Sequence, residues 1–370
     1  MRRVEPLRVA VVLGHWQNYG VETLVMNLYR NIDRSRVQFD FVVCETPESG
    51  IPREEIESLG GRLYIVPPYS RLPEYERALT DLFRRNGYRI VHAHMSTLCP
   101  LPLRAAKRAG VPVRIARCHT MAGRGEHAKN AAKYALRLLA HAYPTHYATS
   151  SLMAGRWLFG DRVADSGEMY YLPVARNIEA FRFDPTRRAE VRAELGLEGK
   201  FVIGHLGRFV PQKNHAFLIE LFDRVHREEP AAHLLLAGDG PLVGEVMTRV
   251  NSLGLTDSVS YLGRRSDAPD LYQAMDVFVL PSIYEGVPGT GIEAQAAGLP
   301  FVFADTVTDE AKILESSKRL SLDDIDNWVS SILGMRLVAR TDTVPEMVEA
   351  GYSIKNAAAS LSDYYLYLVV

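Results

Sequence analysis

The sequence has little cysteine, no long apolar run and almost no net charge. Its 370 residues include three cysteines, Cys44, Cys99 and Cys118, an odd number at wide spacing. Such cysteines suit neither a disulfide framework nor a zinc site, so a reducing, cytoplasmic setting is expected. No run approaches the ~18 apolar residues of a membrane span. Because Arg8 interrupts the first apolar stretch, we expect a buried strand there rather than a signal peptide.

The composition indicates a globular chain of two domains. It is 47% hydrophobic and 24% charged, which excludes disordered and fibrous classes, and its length suits two domains. The net charge of −1 hides an asymmetry, because residues 1–175 hold 24 Lys and Arg against 16 Asp and Glu. The remainder holds 19 basic and 28 acidic residues. A basic half beside an acidic half predicts domains with different tasks, one of which faces anions.

Short apolar runs alternate with amphipathic stretches along the chain, which predicts repeated βαβ units and buried parallel sheets. The runs that predict strands are residues 7–13, 39–44, 63–66, 90–94, 113–117, 146–150, 201–206, 233–237, 259–262, 277–280 and 300–304. The rhythm breaks near residues 176–200, where residues 181–185 suggest a linker. The sequence therefore predicts two doubly wound domains, 1–175 and 176–350. In such sheets ligands bind beyond the carboxyl ends of the strands.

Glu285 and Glu293 flank a glycine-rich turn between a predicted strand and a predicted helix. The first amides of such a helix form an anion site, and both carboxylates can reach the same ligand. A capping role for the carboxylates is an equally strong alternative.

Arg208 and Lys213 lie on another loop between a strand and a helix. Two cations five residues apart can hold two phosphates. The alternative is a solvated loop in which Asn214 caps the next helix. A third loop, residues 14–20, ends at Gly20 and does not match the dinucleotide fingerprint, which weakens a dehydrogenase interpretation.

Three histidines and one acidic pair are weaker candidates. His119 follows a predicted strand at its carboxyl end, although a lone histidine is more often structural. His92 and His94 share one face and could bind metal, but no third ligand is evident, so packing or acceptor contact is favoured. The acidic pair, Asp324 and Asp326, is interpreted as a helix start rather than a metal site.

Together these motifs resemble the retaining glycosyltransferases of family 4, and most closely the EpsF-like branch found in polysaccharide gene clusters. The resemblance spans nearly the whole chain, and the order of the motifs is more specific than any one of them. The motifs that carry it are the pair Glu285-x7-Glu293, the runs 207–208, 213–215, 237–242, 261–264 and 294–300, and the branch-specific runs 21–23, 91–95, 157–160 and 181–183.

The resemblance implies the GT-B fold, with two facing Rossmann-like domains and a central cleft. Residues 1–175 would bind the acceptor, 176–350 the nucleotide sugar, and 351–370 would form a helix returning to the first domain. Arg208 and Lys213 would hold the donor diphosphate, with the amides of Gly289 and Thr290. Glu293 would hold the ribose hydroxyls and Glu285 the transferred sugar. The remaining positions implied are Gly263, Arg264 and Arg265 beside the nucleobase, His119 near the sugar and acceptor, and Gly20 near the phosphates.

These assignments predict retaining transfer of a hexosyl group from a nucleotide sugar, most simply a UDP-sugar, without a divalent metal or other cofactor. The acceptor would be a glycan, a lipid-linked intermediate or a secondary metabolite. A GT-B sugar-nucleotide epimerase and a non-catalytic nucleotide-sugar sensor are the alternatives. No basic motif interleaved with aromatics supports nucleic-acid binding. The basic half also suggests peripheral contact with the inner face of a membrane, through Arg104, Lys107, Arg108 and Arg114 or through Arg124, Lys129, Lys133 and Arg137.

Overall fold

The computed structural model describes residues 5–17, 20–45, 50–119 and 127–370. The chain divides into two compact units. Unit 1 comprises Met1–Ala175 and Ser353–Val370, and unit 2 comprises Arg176–Tyr352. The chain therefore leaves unit 1 once and re-enters it once.

Unit 1 is built on a sheet that has seven strands among the described residues, in the order β3-β2-β1-β4-β5-β6-β7, with parallel pairing throughout these strands. Its elements up to the crossing into unit 2 are β1 Leu7–His15, α1 Gly20–Asn31, β2 Val37–Cys44, α2 Arg53–Ser58, β3 Arg62–Val66, α3 Leu72–Asn86, β4 Ile90–Ala93, α4 Pro100–Arg108, β5 Val113–Cys118, α5 His127–Arg137, β6 His146–Thr149, α6 Leu152–Asp165 and β7 Met169–Tyr171.

Unit 2 is built on a second parallel sheet, whose described strands run in the order β10-β9-β8-β11-β12-β13. Its elements are α7 Pro185–Glu194, β8 Phe201–Leu206, α8 His215–Glu228, β9 Ala232–Ala237, α9 Val243–Ser252, β10 Val259–Tyr261, α10 Ala268–Ala274, β11 Val277–Leu280, α11 Gly289–Ala296, β12 Phe301–Ala304, β13 Lys318–Leu320, α12 Ile325–Gly334 and α13 Val344–Glu349. The last helix, α14 Ile354–Tyr367, belongs to unit 1.

Both faces of the unit 1 sheet are covered by helices, which explains its nearly continuous apolar strands. In β1, Val9 and Val11 belong to the core that includes α1 and α14. Ala10 and Val12 belong to the opposite core, which includes residues of α3, α4 and α6. The α/β alternation predicted from the sequence is confirmed, with strand and helix ends shifted by a few residues. The edge strands β7 and β13 were not predicted.

The segment predicted as a linker is packed instead. Ile178–Phe181 forms a short 3₁₀ turn, and Phe181 is buried with its ring centroid 5.7 Å from that of Tyr272. The side-chain amide of Gln273 donates to the Arg182 carbonyl at 3.0 Å. Phe181 therefore anchors this segment to α10. Among the described residues no helix is both long and apolar enough to cross a membrane.

Candidate functional site

The charged loops of unit 2 meet where the strand order reverses. β8 lies between β9 and β11 in the sheet, so the loops after β8 and β11 leave it on either side of this reversal. Two hydrogen bonds join these loops: Gln212 Nε2 donates to the Tyr284 carbonyl at 2.9 Å, and the Ile283 amide donates to the Gln212 carbonyl at 2.8 Å. Such a reversal is where open α/β sheets bind their ligands.

Lys213 and Glu285 form an ion pair across these two loops. Lys213 Nζ contacts Glu285 Oε1, and the Ser282 hydroxyl donates to the same carboxylate oxygen at 3.0 Å. The side chains of Lys213 and Glu285 are only 14% and 12% exposed. The sequence placed both residues at the site without showing that they touch. Arg208, on the same loop as Lys213, has an exposed side chain.

Helix α11 begins directly after the second loop and presents its N-terminus there. Pro288 is its N-cap, and the amides of Gly291 and Ile292 both donate to the Pro288 carbonyl. Helix geometry leaves the amides of Gly289 and Thr290 without a partner inside the helix. Thr290 Oγ1 is buried and has no hydrogen-bond partner in the described part of the chain. These donors suit an anionic, hydroxyl-bearing ligand.

Glu293 is held by two residues that the sequence did not single out. Arg176 Nε donates to Glu293 Oε1 at 2.9 Å, and the Tyr272 hydroxyl lies 3.1 Å from Glu293 Oε2. Burial and the neighbouring carboxylate raise the pKa of Tyr272 well above its usual range, so this tyrosine stays protonated as a donor. No sequence signal links Arg176 to Glu293, since 117 positions separate them.

Backbone packing explains the glycines of the run 237–242. A Cβ at Gly238, where φ is +139°, would lie 1.8 Å from the Gly207 carbonyl oxygen. The Gly238 amide also donates to the Gly263 carbonyl at 2.8 Å. The loop after β9 therefore lies directly on the loop that carries Arg208. Arg264 and Arg265 are exposed beyond Gly263, and Arg265 pairs with Asp267 at 2.5 Å.

In unit 1 the three predicted histidines form a row beside the carboxyl ends of β4 and β5. The ring centroids of His92 and His94 are 4.2 Å apart, and those of His94 and His119 are 5.4 Å apart. His119 Nε2 lies 3.3 Å from His94 Nδ1. His92 Nδ1 lies 2.7 Å from the Tyr365 hydroxyl of α14. His119 is therefore not isolated, and His94 is its direct partner.

Burial keeps this row neutral. Loss of water around the rings, together with the buried Arg117 guanidinium, holds the pKa of His92, His94 and His119 well below the usual range. Neutral His94 and His119 can share one proton along their contact, one donating and the other accepting. Among the described residues no group of three or more His, Cys, Asp or Glu side chains has the arrangement of a metal site.

Within the described residues, two non-glycine residues have positive φ. Ser96 lies between β4 and α4, and Asn214 lies between β8 and α8. Ser96 has φ +48°, and its hydroxyl accepts from the His119 amide at 3.0 Å. Asn214 has φ +55° at the start of α8, but its side chain makes no capping bond. Asn214 therefore occupies the N-cap position of α8, as the alternative interpretation expected, but does not cap the helix with its side chain. Unusual backbone conformations of this kind concentrate at functional sites.

The acidic pair takes structural positions, and Gly20 lies at a helix start. Asp324 caps α12 by accepting from the Asn327 amide at 3.1 Å, and Asp326 pairs with Arg224 at 2.8 Å, as expected for a helix start. Gly20 is the first residue of α1. The preceding residues 18–19 of its loop lie outside the described residues.

Two comparisons of sequence identify the family. Residues 19–192 match the model of the glycosyl transferase 4-like domain, and residues 200–335 match the model of glycosyl transferases group 1. The putative glycosyltransferase EpsF of Bacillus subtilis is 34% identical over 97% of this chain and 96% of its own length. The chain belongs to glycosyltransferase family 4. Within this family it resembles the EpsF-like branch, as its motifs predicted.

A further relative and a solved structure extend the comparison. The UDP-Gal:alpha-D-GlcNAc-diphosphoundecaprenol alpha-1,3-galactosyltransferase of Escherichia coli is 26% identical over 90% of each chain. The structure of HepE from Anabaena in complex with UDP-glucose superposes with a TM-score of 0.72 at 18% identity, over 98% of this glycosyltransferase and 96% of HepE. This likeness confirms the GT-B fold class of paired parallel-sheet units.

Proposed function

We propose that this glycosyltransferase transfers a hexosyl group from a UDP-sugar, with retention and without a divalent metal, to a lipid-linked or oligosaccharide acceptor of surface-glycan assembly. The observation that carries the proposal is the meeting of Lys213, Glu285 and the α11 N-terminus at the strand reversal of unit 2. Cations and helix amides at one point suit the diphosphate of a nucleotide sugar.

The charges of these groups suit the bond that must break. Cleavage of the anomeric bond leaves negative charge on the diphosphate and positive character on the sugar ring. Arg208, Lys213 and the amides of Gly289 and Thr290 stabilise the departing diphosphate, which makes a metal ion unnecessary. Glu285 lies beside Lys213, where its carboxylate positions the sugar and favours the developing positive charge. With retention, the leaving phosphate takes the acceptor's proton on the same face, and no covalent nucleophile is assigned.

Relatives support the donor and acceptor classes. HepE was crystallised with UDP-glucose. The Escherichia coli relative is named for a UDP-galactose donor and a diphosphoundecaprenol-linked acceptor. A UDP-sugar and a lipid-linked glycan are the corresponding proposals for this chain. Glu293 is then assigned the ribose hydroxyls, and the 263–265 loop the uracil. Gly20 and neutral His119 of unit 1 keep the roles that the family resemblance implies.

A panel of nucleotide sugars tests this assignment. We expect UDP release with one UDP-hexose in the presence of a polyprenyl-diphosphate-linked acceptor, and a product of retained anomeric configuration by NMR. Turnover is expected to survive EDTA. Inverted product, or loss of activity in EDTA with recovery in Mn²⁺, would contradict the proposed class. Release of UDP with free epimerised sugar would favour the epimerase alternative. Binding without turnover on any acceptor would favour the sensor.

For the cytoplasmic membrane contact we propose α5 and the residues after it. The first basic cluster is less suited to this contact, because the buried Glu76 pairs with both Arg104 and Arg108 and offsets part of their charge. Of the second cluster, Arg124 and the side chain of Lys129 lie outside the described residues. Lys133 and Arg137 remain on α5, and Arg137 lies over the Trp157 ring at 5.6 Å.

Exposed apolar side chains accompany these cations. Tyr134 is 53% exposed and Leu138 is 85% exposed. Cations beside exposed apolar side chains suit the surface of an anionic bilayer. We expect the protein to sediment with vesicles containing anionic lipid at low salt and to be released at high salt. Leu138→Glu should weaken this binding, whereas Leu337→Glu, at a residue 93% exposed on unit 2, should not. Sedimentation that does not depend on the anionic-lipid content of the vesicles would contradict the membrane contact. It would leave the transferase assignment intact.

A further inference from the structure

Arg176 occupies an unusual position for a cation. It is the first residue of unit 2, and its amide donates to the Tyr352 carbonyl at 2.9 Å. Its side chain is 10% exposed and reaches the N-terminus of α11, where a Cβ on Gly289 would lie 1.9 Å from Arg176 Nη2. A cation is unfavourable beside a helix N-terminus, which carries partial positive charge. The Glu293 carboxylate offsets this cost locally.

Arg176 and Tyr272 together fix the orientation of Glu293. Arg176 holds one carboxylate oxygen at 2.9 Å, and the Tyr272 hydroxyl lies 3.1 Å from the other. Tyr272 is fully buried, and its hydroxyl also lies 3.1 Å from the Thr290 carbonyl oxygen. Each carboxylate oxygen retains a lone pair for a ligand hydroxyl. A carboxylate held in one orientation is what recognition of two adjacent hydroxyls requires.

We propose that Arg176 is a positioning residue for donor recognition, which holds the Glu293 carboxylate toward the ribose diol of the nucleotide. This inference rests on the proposed function, in which Glu293 binds the ribose. Gly289 takes part because its missing side chain leaves the space that the guanidinium fills. The buried Thr290 hydroxyl without a partner in the described chain lies on the same helix end, which supports a ligand at this position.

The test compares binding of UDP and 2′-deoxy-UDP by calorimetry. The wild-type protein should bind UDP more tightly by roughly tenfold to hundredfold, the effect of one hydrogen bond to a charged group. Arg176→Gln should reduce this ratio to about threefold or less, because Glu293 loses the donor that orients it. Arg176→Lys should give an intermediate ratio, since an ammonium keeps the charge without the planar fork. In turnover assays the donor KM should rise more than kcat falls.

Gly289→Ala provides an independent variant that leaves Arg176 in the chain. Its new Cβ should displace the guanidinium and lower the UDP to 2′-deoxy-UDP ratio in the same way. Arg182→Gln is the matched control, because Arg182 forms exposed ion pairs with Glu179 and Asp342 in the same unit. Its ratio should equal that of the wild type. Thermal unfolding of each variant establishes that it is folded.

Two results would overturn the inference, and they are distinguishable. If Arg176→Gln and Gly289→Ala keep the wild-type ratio, or weaken both nucleotides equally, Arg176 does not position Glu293 and the proposed function stands. If the wild-type protein binds neither nucleotide, the donor assignment fails, and the inference fails with it.

Discussion

Replacement of Lys213 by methionine gives the sharpest test of the donor site. The ammonium of Lys213 contacts Glu285, and both side chains are largely buried. If it stabilises the departing diphosphate, its removal should cost ~2–4 kcal/mol of transition-state stabilisation. The rate should fall on the order of a hundredfold or more. Arg208→Met should lower the rate to a similar extent.

The two variants should differ in stability, and this difference follows from their surroundings. Lys213→Met removes the ammonium that pairs with the largely buried Glu285 carboxylate and leaves the Ser282 hydroxyl donating to it. This loss should cost about 1–3 kcal/mol of unfolding free energy. Arg208 is exposed, so Arg208→Met should change stability by less than about 0.5 kcal/mol. The double variant Lys213→Met/Glu285→Gln should regain stability but not activity.

The measurements are UDP release at saturating donor and acceptor, and urea unfolding followed by fluorescence. Lys200→Met, at an exposed lysine of the same unit, is the control and should leave both quantities unchanged. Near-normal turnover in folded Lys213→Met would refute the diphosphate assignment. A loss of activity that tracks the loss of stability across all variants would assign Lys213 a structural role only.

The other predictions concern acid stability and a buried amide. Burial and the nearby His215 hold the pKa of His205 well below its usual range, so only the unfolded chain takes up this proton as the pH falls below ~6.5. Acidification therefore lowers the unfolding free energy, by up to ~1.4 kcal/mol per pH unit for each such histidine. In urea titrations His205→Asn should reduce the slope of the unfolding free energy against pH by up to that amount, and an unchanged slope would contradict this origin. Gln295 is buried and accepts hydrogen bonds from the Ile313 and Leu314 amides at 3.0 Å. Gln295→Leu should therefore lower the unfolding free energy, measured in urea, by at least ~2 kcal/mol. A smaller change would refute the stabilising role of these hydrogen bonds.

The local sequence pattern was sufficient to predict the fold and most residues of the proposed site. The loops of Lys213 and Glu285 each follow an apolar strand, so a linear motif marks both, and the parallel sheet brings them together. The glycine-rich turn before Glu293 likewise marks the start of α11. These features are encoded by neighbours in the chain, which is why periodicity and turn chemistry revealed them.

Contacts between residues distant in the chain could not be predicted from the sequence. Arg176 reaches Glu293 across 117 positions, and Tyr365 reaches His92 across 273. Neither arginine nor tyrosine forms part of a motif at these places. The same limit applies to His94, whose partnership with His119 depends on the pairing of β4 with β5. The packed turn at Phe181 was misinterpreted because its burial partner, Tyr272, lies on another helix.

The position of α14 has a consequence for the order in which the chain matures during translation. This helix follows the whole of unit 2, yet Ile354, Leu361 and Tyr365 complete the core beside β1 and β4. Synthesis of unit 1 therefore begins first, but its core is completed last. Unit 2 is continuous in sequence and can fold as soon as it leaves the ribosome. A chain stalled before residue 354 should therefore expose an apolar face on unit 1 and recruit chaperones, although every strand of both sheets has already been made.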